Sequence, residues 1–413
     1  MTILRLFKKR DFALLWIGST VSLLGDGVYF VAIAWQVYQL ENRPSALALV
    51  GVAWTLPQLA CVTFAGVVTD RFDRRRVMIV ANGMSGVAIG TMAILAISGA
   101  LRLWQVWILV AIYGVGVALF LPAASAIVPE LVSPDLLVEA NALRQVVRPL
   151  TMRLVGPALG GVLVALLGAG EALLVDALSF FVAVGTLLLI RSRAGIRPAF
   201  QAGSFGREAA EGLRFVRSQD WLWLSLLTAA AWLLIYVGPL EVLLPFLVKN
   251  RVGGGSGGLG LVFAAGGLGA MLCSWLVAAR GLPRRPLVFM YVVWSLATFA
   301  LAALALATTL WQAMLCSFFV FGLLSTGDIA WQTTLQRRVP NELLGRVASI
   351  DWLVSAGLVP VSFVVVGPVA GTVGSSATML GAGLLGGVLL ASIIALPPIR
   401  EPESREYPAP AHA

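Results

Sequence analysis

Histidine is all but missing from this chain. Its one copy, His412, sits in the polar C-terminal stretch "REYPAPAHA", so the apolar bulk holds no histidine dyad and no histidine-based metal site. Lysine occurs only at Lys8, Lys9 and Lys249, and no G-x-x-x-x-G-K-[ST] exists, which argues against an ATP-driven pump. The glycine-rich run "GGGSGGLG" at 253–260 lacks that lysine and is read as a flexible connection. The three cysteines, Cys61, Cys273 and Cys316, all fall inside apolar runs, where they are expected to pack rather than to form a disulfide or bind metal. No enzyme, no cofactor, no metal and no nucleic-acid partner is expected. Charge of either sign is also scarce, at 12% of residues against 59% hydrophobic.

What is abundant is apolar surface. With 413 residues and a mean hydropathy of +0.92, the chain has more of it than a soluble core of this size needs, so lipid must cover the rest. A crossing helix takes about 20 apolar residues. Twelve such spans are predicted, at 13–38, 46–69, 77–98, 104–128, 143–168, 171–190, 221–247, 259–279, 287–306, 310–334, 350–372 and 377–396. The first follows "RLFKKRD", exceeds a signal-peptide core and lacks a small-residue cleavage site, so it is expected to be retained. Basic residues stay cytoplasmic during insertion. With the N-terminus inside, 25 of the 29 lysines and arginines fall on the inner side, leaving only Arg43, Arg102, Lys249 and Arg251 outside. The expectation is a multi-pass protein of the bacterial inner membrane with both termini cytoplasmic.

The chain also repeats. A shift of 209 residues lays Arg71, Arg75 and Arg76 on Arg280, Arg284 and Arg285; a shift of 207 lays "DLL" at 135–137 on "ELL" at 342–344; and at 211, Pro157 of one "VGP" meets Pro368 of another. Near-equal offsets predict a duplicated six-helix unit, as in rocker-type transporters. The expected organisation is a six-helix bundle at 1–190, a cytoplasmic linker at 191–220 whose "REAAEGLRFVR" forms an amphipathic surface helix, a second bundle at 221–399 and a polar tail at 400–413.

Between spans 2 and 3 stands "GVVTDRFDRRR", residues 66–76, in which six of the seven residues from Asp70 to Arg76 are charged. This resembles the loop signature of the major facilitator superfamily, G-x-x-x-D-R-x-G-R-R/K, with Asp73 where that family has Gly. "VGPALGG" in span 5, with Gly156, Pro157, Gly160 and Gly161, is similar to the antiporter signature of its drug-exporting branches, although Met152 and Arg153 fill positions that are usually small. "LLGDGVYFVAIAWQV", "EGLRFVR" and "GPLEVLLPFLVKN" are similar to the macrolide, tetracycline and enterobactin exporters. The helix 4 signature R-x-x-Q-G of many drug/proton antiporters would put Arg at Val110 and Gln at Tyr113, so coupling through that arginine does not carry over. The resemblance implies the twelve-helix major facilitator fold, alternating access and proton-coupled export. The charged loop makes physical sense as a conformational latch of Gly66, Asp70, Arg71 and Arg75 with Glu130 as partner, or as arginines that only enforce topology. The span 5 glycines allow close helix approach, and Pro157 weakens the helix, for gating or for packing alone.

Of the twenty acidic residues, Asp26, Asp176, Glu241 and Asp328 lie well within spans. An ionisable group there is a functional hypothesis by default. Ser19, Ser22, Asp26, Tyr29 and Gln36 fall within a sector of roughly 100° on span 1, a polar stripe expected to line a water-filled cavity, with Asp26 in substrate or proton binding or in a helix–helix hydrogen bond. Glu241, between Pro239 and Pro245, is expected where span 7 is broken. Asp328, one turn from Gln332, serves either proton transport or an inner gate with Arg148 or Arg153; Asp176 is read as structural. Trp35, Trp54, Trp232 and Tyr236 are deep enough to stack on a drug, or simply pack. The expected function is export of amphipathic, cationic small molecules in exchange for protons by a monomer in the lipid bilayer, with export of a siderophore, other metabolite or lipid, or proton-driven import, as the alternatives.

Overall fold

Inside a bilayer no water is available to backbone N–H and C=O groups, so a spanning chain must satisfy them within helices or a closed barrel. This chain does so with helices. The computed structural model describes residues 3–133, 136–191 and 205–404; much of the expected linker and tail, and the start of the repeated "DLL", lie outside them. Among the described residues, twelve helices are long and apolar enough to cross a membrane. They are α1 (Arg10–Leu40), α2 (Pro44–Arg71), α3 (Arg74–Ile97), α4 (Leu103–Leu131), α5 (Leu137–Pro149, Leu150–Val155 and Gly156–Leu166), α6 (Ala169–Leu189), α7 (Asp220–Gly238 continuing through Val248–Val252), α8 (Gly255–Arg280), α9 (Pro286–Leu304), α10 (Leu310–Arg338), α11 (Asn341–Gly357 and Val359–Val373) and α12 (Ser375–Ile393). The protein is an all-α polytopic membrane protein. The amphipathic helix expected before α7 forms as Phe205–Ser218.

Local chemistry repeats with the sequence. Gln105 accepts from the Arg102 backbone N–H at 2.8 Å to start α4, and Gln312 accepts from the Thr309 N–H at 3.2 Å to start α10. Both caps come from the same "LWQ" triplet, 207 residues apart. The α5–α6 turn passes through Gly168 at φ 119° and the α11–α12 turn through Gly374 at φ 89°, backbone positions that side chains rarely adopt.

Two expectations need correction. Span 7 is not broken: Pro239–Leu243 and Val248–Val252 are wide π-helical turns that keep α7 winding past its prolines. A wider turn accommodates the missing proline N–H without exposing a stretch of backbone. Spans 5 and 11 also start earlier than their apolar runs, at Leu137 and Asn341, because polar residues at the arginine-rich end continue the helices.

Helices α1–α6 pack on one another, as do α7–α12, and the two sets meet mainly where α5 crosses α8 and where α11 crosses α2. Those junctions exchange under the repeat. At the first, a Cβ added to Gly260 of α8 would lie 2.7 Å from the Gly161 Cα of α5, closer than atoms can pack.

Gly260→Val should therefore force α5 from α8 and cost about 1–3 kcal/mol as overpacking does, whereas at Gly257 an added Cβ has its nearest neighbour 4.0 Å away. Thermal unfolding in detergent is expected to shift by several degrees for Gly260→Val and little for Gly257→Val; equal shifts would mean that the glycine contact is not what limits the junction.

Candidate functional site

Polar chemistry inside α1–α6 collects on one face of α1. Asp26 accepts a hydrogen bond at 2.8 Å from the hydroxyl of Tyr113 on α4, and the Tyr113 ring lies 5.1 Å from that of Tyr29. Behind it, Asp176 of α6 is 0% exposed. One of its oxygens accepts weakly from Ser179 at 3.4 Å, and the other has no hydrogen-bond partner among the described residues. Close helix approach makes this grouping possible: a Cβ at Gly25 would meet Asp176 Oδ1 at 2.5 Å. The stripe is not an open cavity wall along its length, because Ser22, Tyr29 and Gln36 are buried while Asp26 is half-buried. Helices α4 and α6 cover that face, and the bond from Tyr113 to Asp26 is a helix–helix hydrogen bond.

A second grouping lies in α7–α12. Tyr236, Trp232 and Trp294 form a stack, with centroids 4.9 Å apart for the first pair and 5.1 Å for the second. Below it is a cavity of about 320 Å³ lined by residues including Trp331, Asp328, Gln332 and Asp351. Glu241 is exposed despite its depth in the sequence of α7, and Arg153 of α5 acts electrostatically on both Glu241 and Asp328. Arg153 is not in an ion pair with Asp328; its guanidinium lies 5.5 Å from the Phe321 ring of α10. Of the expected inner gate of Arg148, Arg153 and Asp328, Arg153 packs on α10 through Phe321 and Arg148 is exposed.

The span 5 signature sits between the halves. Gly156 abuts Gly27 of α1, Gly160 abuts Val28, and Gly161 abuts Gly260 of α8. On the arginine-poor side the halves are tied together: the Tyr38 hydroxyl donates to the Val242 carbonyl at 2.7 Å, Asn42 donates to Asn250 at 2.7 Å, and the Lys249 ammonium donates to the Tyr38 carbonyl. Lys249 also lies 5.5 Å from the centroid of Trp35. Trp54, packed edge-on to Phe30, has no partner for its indole N–H among the described residues.

The charged loop is held within α1–α6. Glu130, the expected partner, forms its ion pair with Arg74 rather than Arg71 or Arg75. Arg75 instead donates to the Leu187 and Leu188 carbonyls at 2.6 and 2.7 Å, satisfying the end of α6. Arg71 is exposed. Asp73 occupies the family's glycine position without strain, capping α3 by accepting from the Arg76 N–H at 3.2 Å. Packing does not demand Gly66, since an added Cβ would meet nothing within 4 Å. The Asp70 side chain lies outside the described residues.

The comparisons agree with this architecture. Residues 2–412 match the family described as transmembrane secretion effector, a major facilitator group. The chain belongs to that family. It is therefore a major facilitator transporter, a carrier that moves small molecules across a membrane rather than an enzyme. It is 28% identical over 418 residues to the multidrug efflux pump Tap of Mycolicibacterium fortuitum, covering 95% of this chain and 97% of that protein. It is 26% identical over 247 residues to macrolide efflux protein A of Streptococcus pyogenes, where the match spans 60% of each chain. Among solved structures, a bacterial homologue of the iron transporter ferroportin in an inward-facing state superimposes with a TM-score of 0.70 at 17% identity, covering 95% of this chain and all of that one. A POT family transporter in complex with a thioalcohol-conjugated peptide gives 0.74 at 10% identity, covering 95% and 96%. At such identities these two speak for the fold alone.

Sequence reasoning missed Trp294, Trp331 and Asp351. Trp331 was within reach, because it follows Asp328 by three residues and so shares its helix face; Asp351 lies near the expected end of span 11, where a charge draws no attention.

The Arg74–Glu130 pair is 13% and 19% exposed. Glu130→Gln should destabilise the transporter by about 1–3 kcal/mol by stranding a mostly buried arginine, and the exchanged pair Arg74→Glu/Glu130→Arg should recover part of the loss in thermal unfolding. A double variant no better than the singles would assign the two side chains separate roles.

Proposed function

We propose that this transporter exports amphipathic cations in exchange for protons. The observation that carries the reading is Asp26, a carboxylate held by Tyr113 in an apolar interior with Asp176 buried behind it. Two negative charges so placed are costly, and binding a proton discharges one of them. A cation arriving nearby favours the charged form and releases the proton, which couples the two flows. Exchange of one proton for one monovalent cation moves no net charge, so the pH gradient, at about 1.4 kcal/mol per unit, is what drives accumulation outside. The names of the macrolide and multidrug relatives favour an efflux substrate of drug-like size.

In this reading the arginine-rich side is cytoplasmic, both termini lie on the cytoplasmic side of the bacterial inner membrane, and the ties around Tyr38, Lys249 and Asn250 close the outer side of an inward-facing state. The two sets of six helices rock about the α5–α8 and α11–α2 junctions, and the loop of Gly66, Asp70, Arg71 and Arg75 works as a latch near the inner surface. A monomer suffices, since the proposed proton group and the proposed cavity lie within one chain.

Asp26→Asn keeps the size and much of the hydrogen bonding of the side chain but cannot titrate. In proteoliposomes with an imposed pH gradient, uphill movement of a cationic dye should be lost in this variant while downhill equilibration persists. Full uphill transport by Asp26→Asn would remove Asp26 from coupling and leave Glu241 as the next candidate. Separately, Asp70→Asn should insert normally yet turn over far more slowly; normal turnover would reduce the charged loop to a topology signal.

A further inference from the structure

One stretch of α7 carries the contacts with the end of α1. Among the described residues, the α7 groups that bond to or stack on α1 and the turn after it all lie beyond Pro239: the Val242 carbonyl, the Phe246 ring, 5.4 Å from that of Tyr38, and the side chains of Lys249 and Asn250. The same stretch holds Pro239, Pro245 and both wide turns. Its partner α1 is a single α-helix from Arg10 to Leu40 with no proline.

The stretch begins where α11 reaches into α7. The buried hydroxyl of Ser362 accepts from the Gly238 N–H at 2.8 Å and donates to the Leu234 carbonyl at 2.7 Å. Residues 234 and 238 are the acceptor and donor of one ordinary α-helical step. The hydroxyl therefore stands at the α7 ladder itself, and a side chain inserted there bends a helix. Approach this close requires glycine, since a Cβ on Gly238 would lie 2.6 Å from the Ser362 carbonyl oxygen.

The repeat supplies an internal control. A shift of 211 residues lays Gly238 on Gly27 and Ser362 on Thr151. The backbones meet in the same way, with a Cβ on Gly27 lying 2.7 Å from the Thr151 carbonyl oxygen. The Thr151 hydroxyl, however, donates to the Val147 and Arg148 carbonyls of its own helix, at 2.8 and 3.2 Å, and Val28 stands where α7 has Pro239. Only the second half sends the hydroxyl across. The residue after Ser362 faces the other half: a Cβ on Gly51 of α2 would lie 2.9 Å from the Phe363 ring. Consecutive side chains on a helix point roughly 100° apart, so α11 holds α7 with one and meets α2 with the next.

We propose that Ser362 is a positioning residue for the outer closure. Its hydroxyl, set at the α7 ladder, holds the segment 239–252 bent onto α1. A shift at the α2–α11 junction, felt through Phe363, withdraws the hydroxyl, lets the Gly238 N–H return to the Leu234 carbonyl and straightens the segment away from α1. The outer part of α7 thus opens by itself, while the glycine contact between α5 and α8 stays closed. The inference rests on the reading of these ties as the outer closure for its place in the transport cycle.

The experiment places spin-label pairs on the cysteine-free, full-length transporter in nanodiscs and reads distances by electron paramagnetic resonance on the monodisperse fraction, so that only folded protein is measured. One pair, Gln39→Cys/Val252→Cys, spans α1 and α7; the other, on the exposed Leu167→Cys/Leu261→Cys, spans α5 and α8. Ser362→Ala should lower the ratio of short to long distances in the first pair about two- to tenfold, as loss of one hydrogen bond does, and leave the second pair unchanged. Thr151→Ala, the same deletion at the repeat mate, should alter neither. An unchanged first pair in Ser362→Ala overturns the inference, as does a parallel change in both pairs or an equal effect of Thr151→Ala. If Ser362→Ala opens α7 and downhill transport of a cationic dye keeps its wild-type rate, the hold on α7 stands and the reading of the ties as the outer closure falls.

Discussion

Lipid neither solvates a carboxylate nor hydrogen-bonds a backbone, and the rest of this structure follows from that. A charged side chain near the bilayer centre costs about 2.5–3.5 kcal/mol even on the mildest scale. Helix α7 keeps winding past Pro239 and Pro245, with wide turns at Pro239–Leu243 and Val248–Val252 on either side of Pro245. Some indole and hydroxyl donors deep in the bundle are matched to acceptors, as with Trp232 and Thr298 or Tyr113 and Asp26, while others, such as the Trp54 indole and the Tyr236 hydroxyl, have no partner among the described residues. The carboxylates of Asp26, Asp176, Asp328 and Asp351 stand out, because among the described residues none of them is in an ion pair.

The same constraint explains how the halves can touch without locking. Where α5 meets α8 the contact is glycine on glycine, Gly161 against Gly260, so backbones approach closely with little side-chain interdigitation to undo. The ties on the arginine-poor side are of a different kind: a tyrosine hydroxyl, two asparagines and a lysine, all on or near loops. Polar bonds of this sort can be exchanged for bonds to water, which suits a contact that opens and closes. In the proposed reading the smooth junction is the pivot and the polar ties are the reversible closure.

The twelve spans, their repeat and the arginine asymmetry were legible because membrane insertion writes them in composition and period. Asp26 and Asp328 were legible for the same reason, as charges in apolar runs. What was not legible depended on which faces meet. The stripe of Ser22, Asp26, Tyr29 and Gln36 was visible, but not that α4 and α6 cover it; Tyr113 looked like a departure from a signature and turns out to hold Asp26. Glu130 was recognisable as the acidic partner of the charged loop, yet the loop holds four arginines, and only the path of the chain selects Arg74. Likewise, indoles far apart in sequence, such as Trp232 and Trp294, become one stack only when α7 lies against α9.

The central claim is that a cation and a proton compete through a carboxylate within the helices, Asp26. The most direct measurement is proton release in weakly buffered detergent solution when a saturating hydrophobic cation such as tetraphenylphosphonium is added to the purified transporter. Proton exchange at Asp26 predicts a release of about one proton per transporter, absent in Asp26→Asn. Cation binding with no proton release from the unmodified protein at any pH between 6 and 9 would contradict the account.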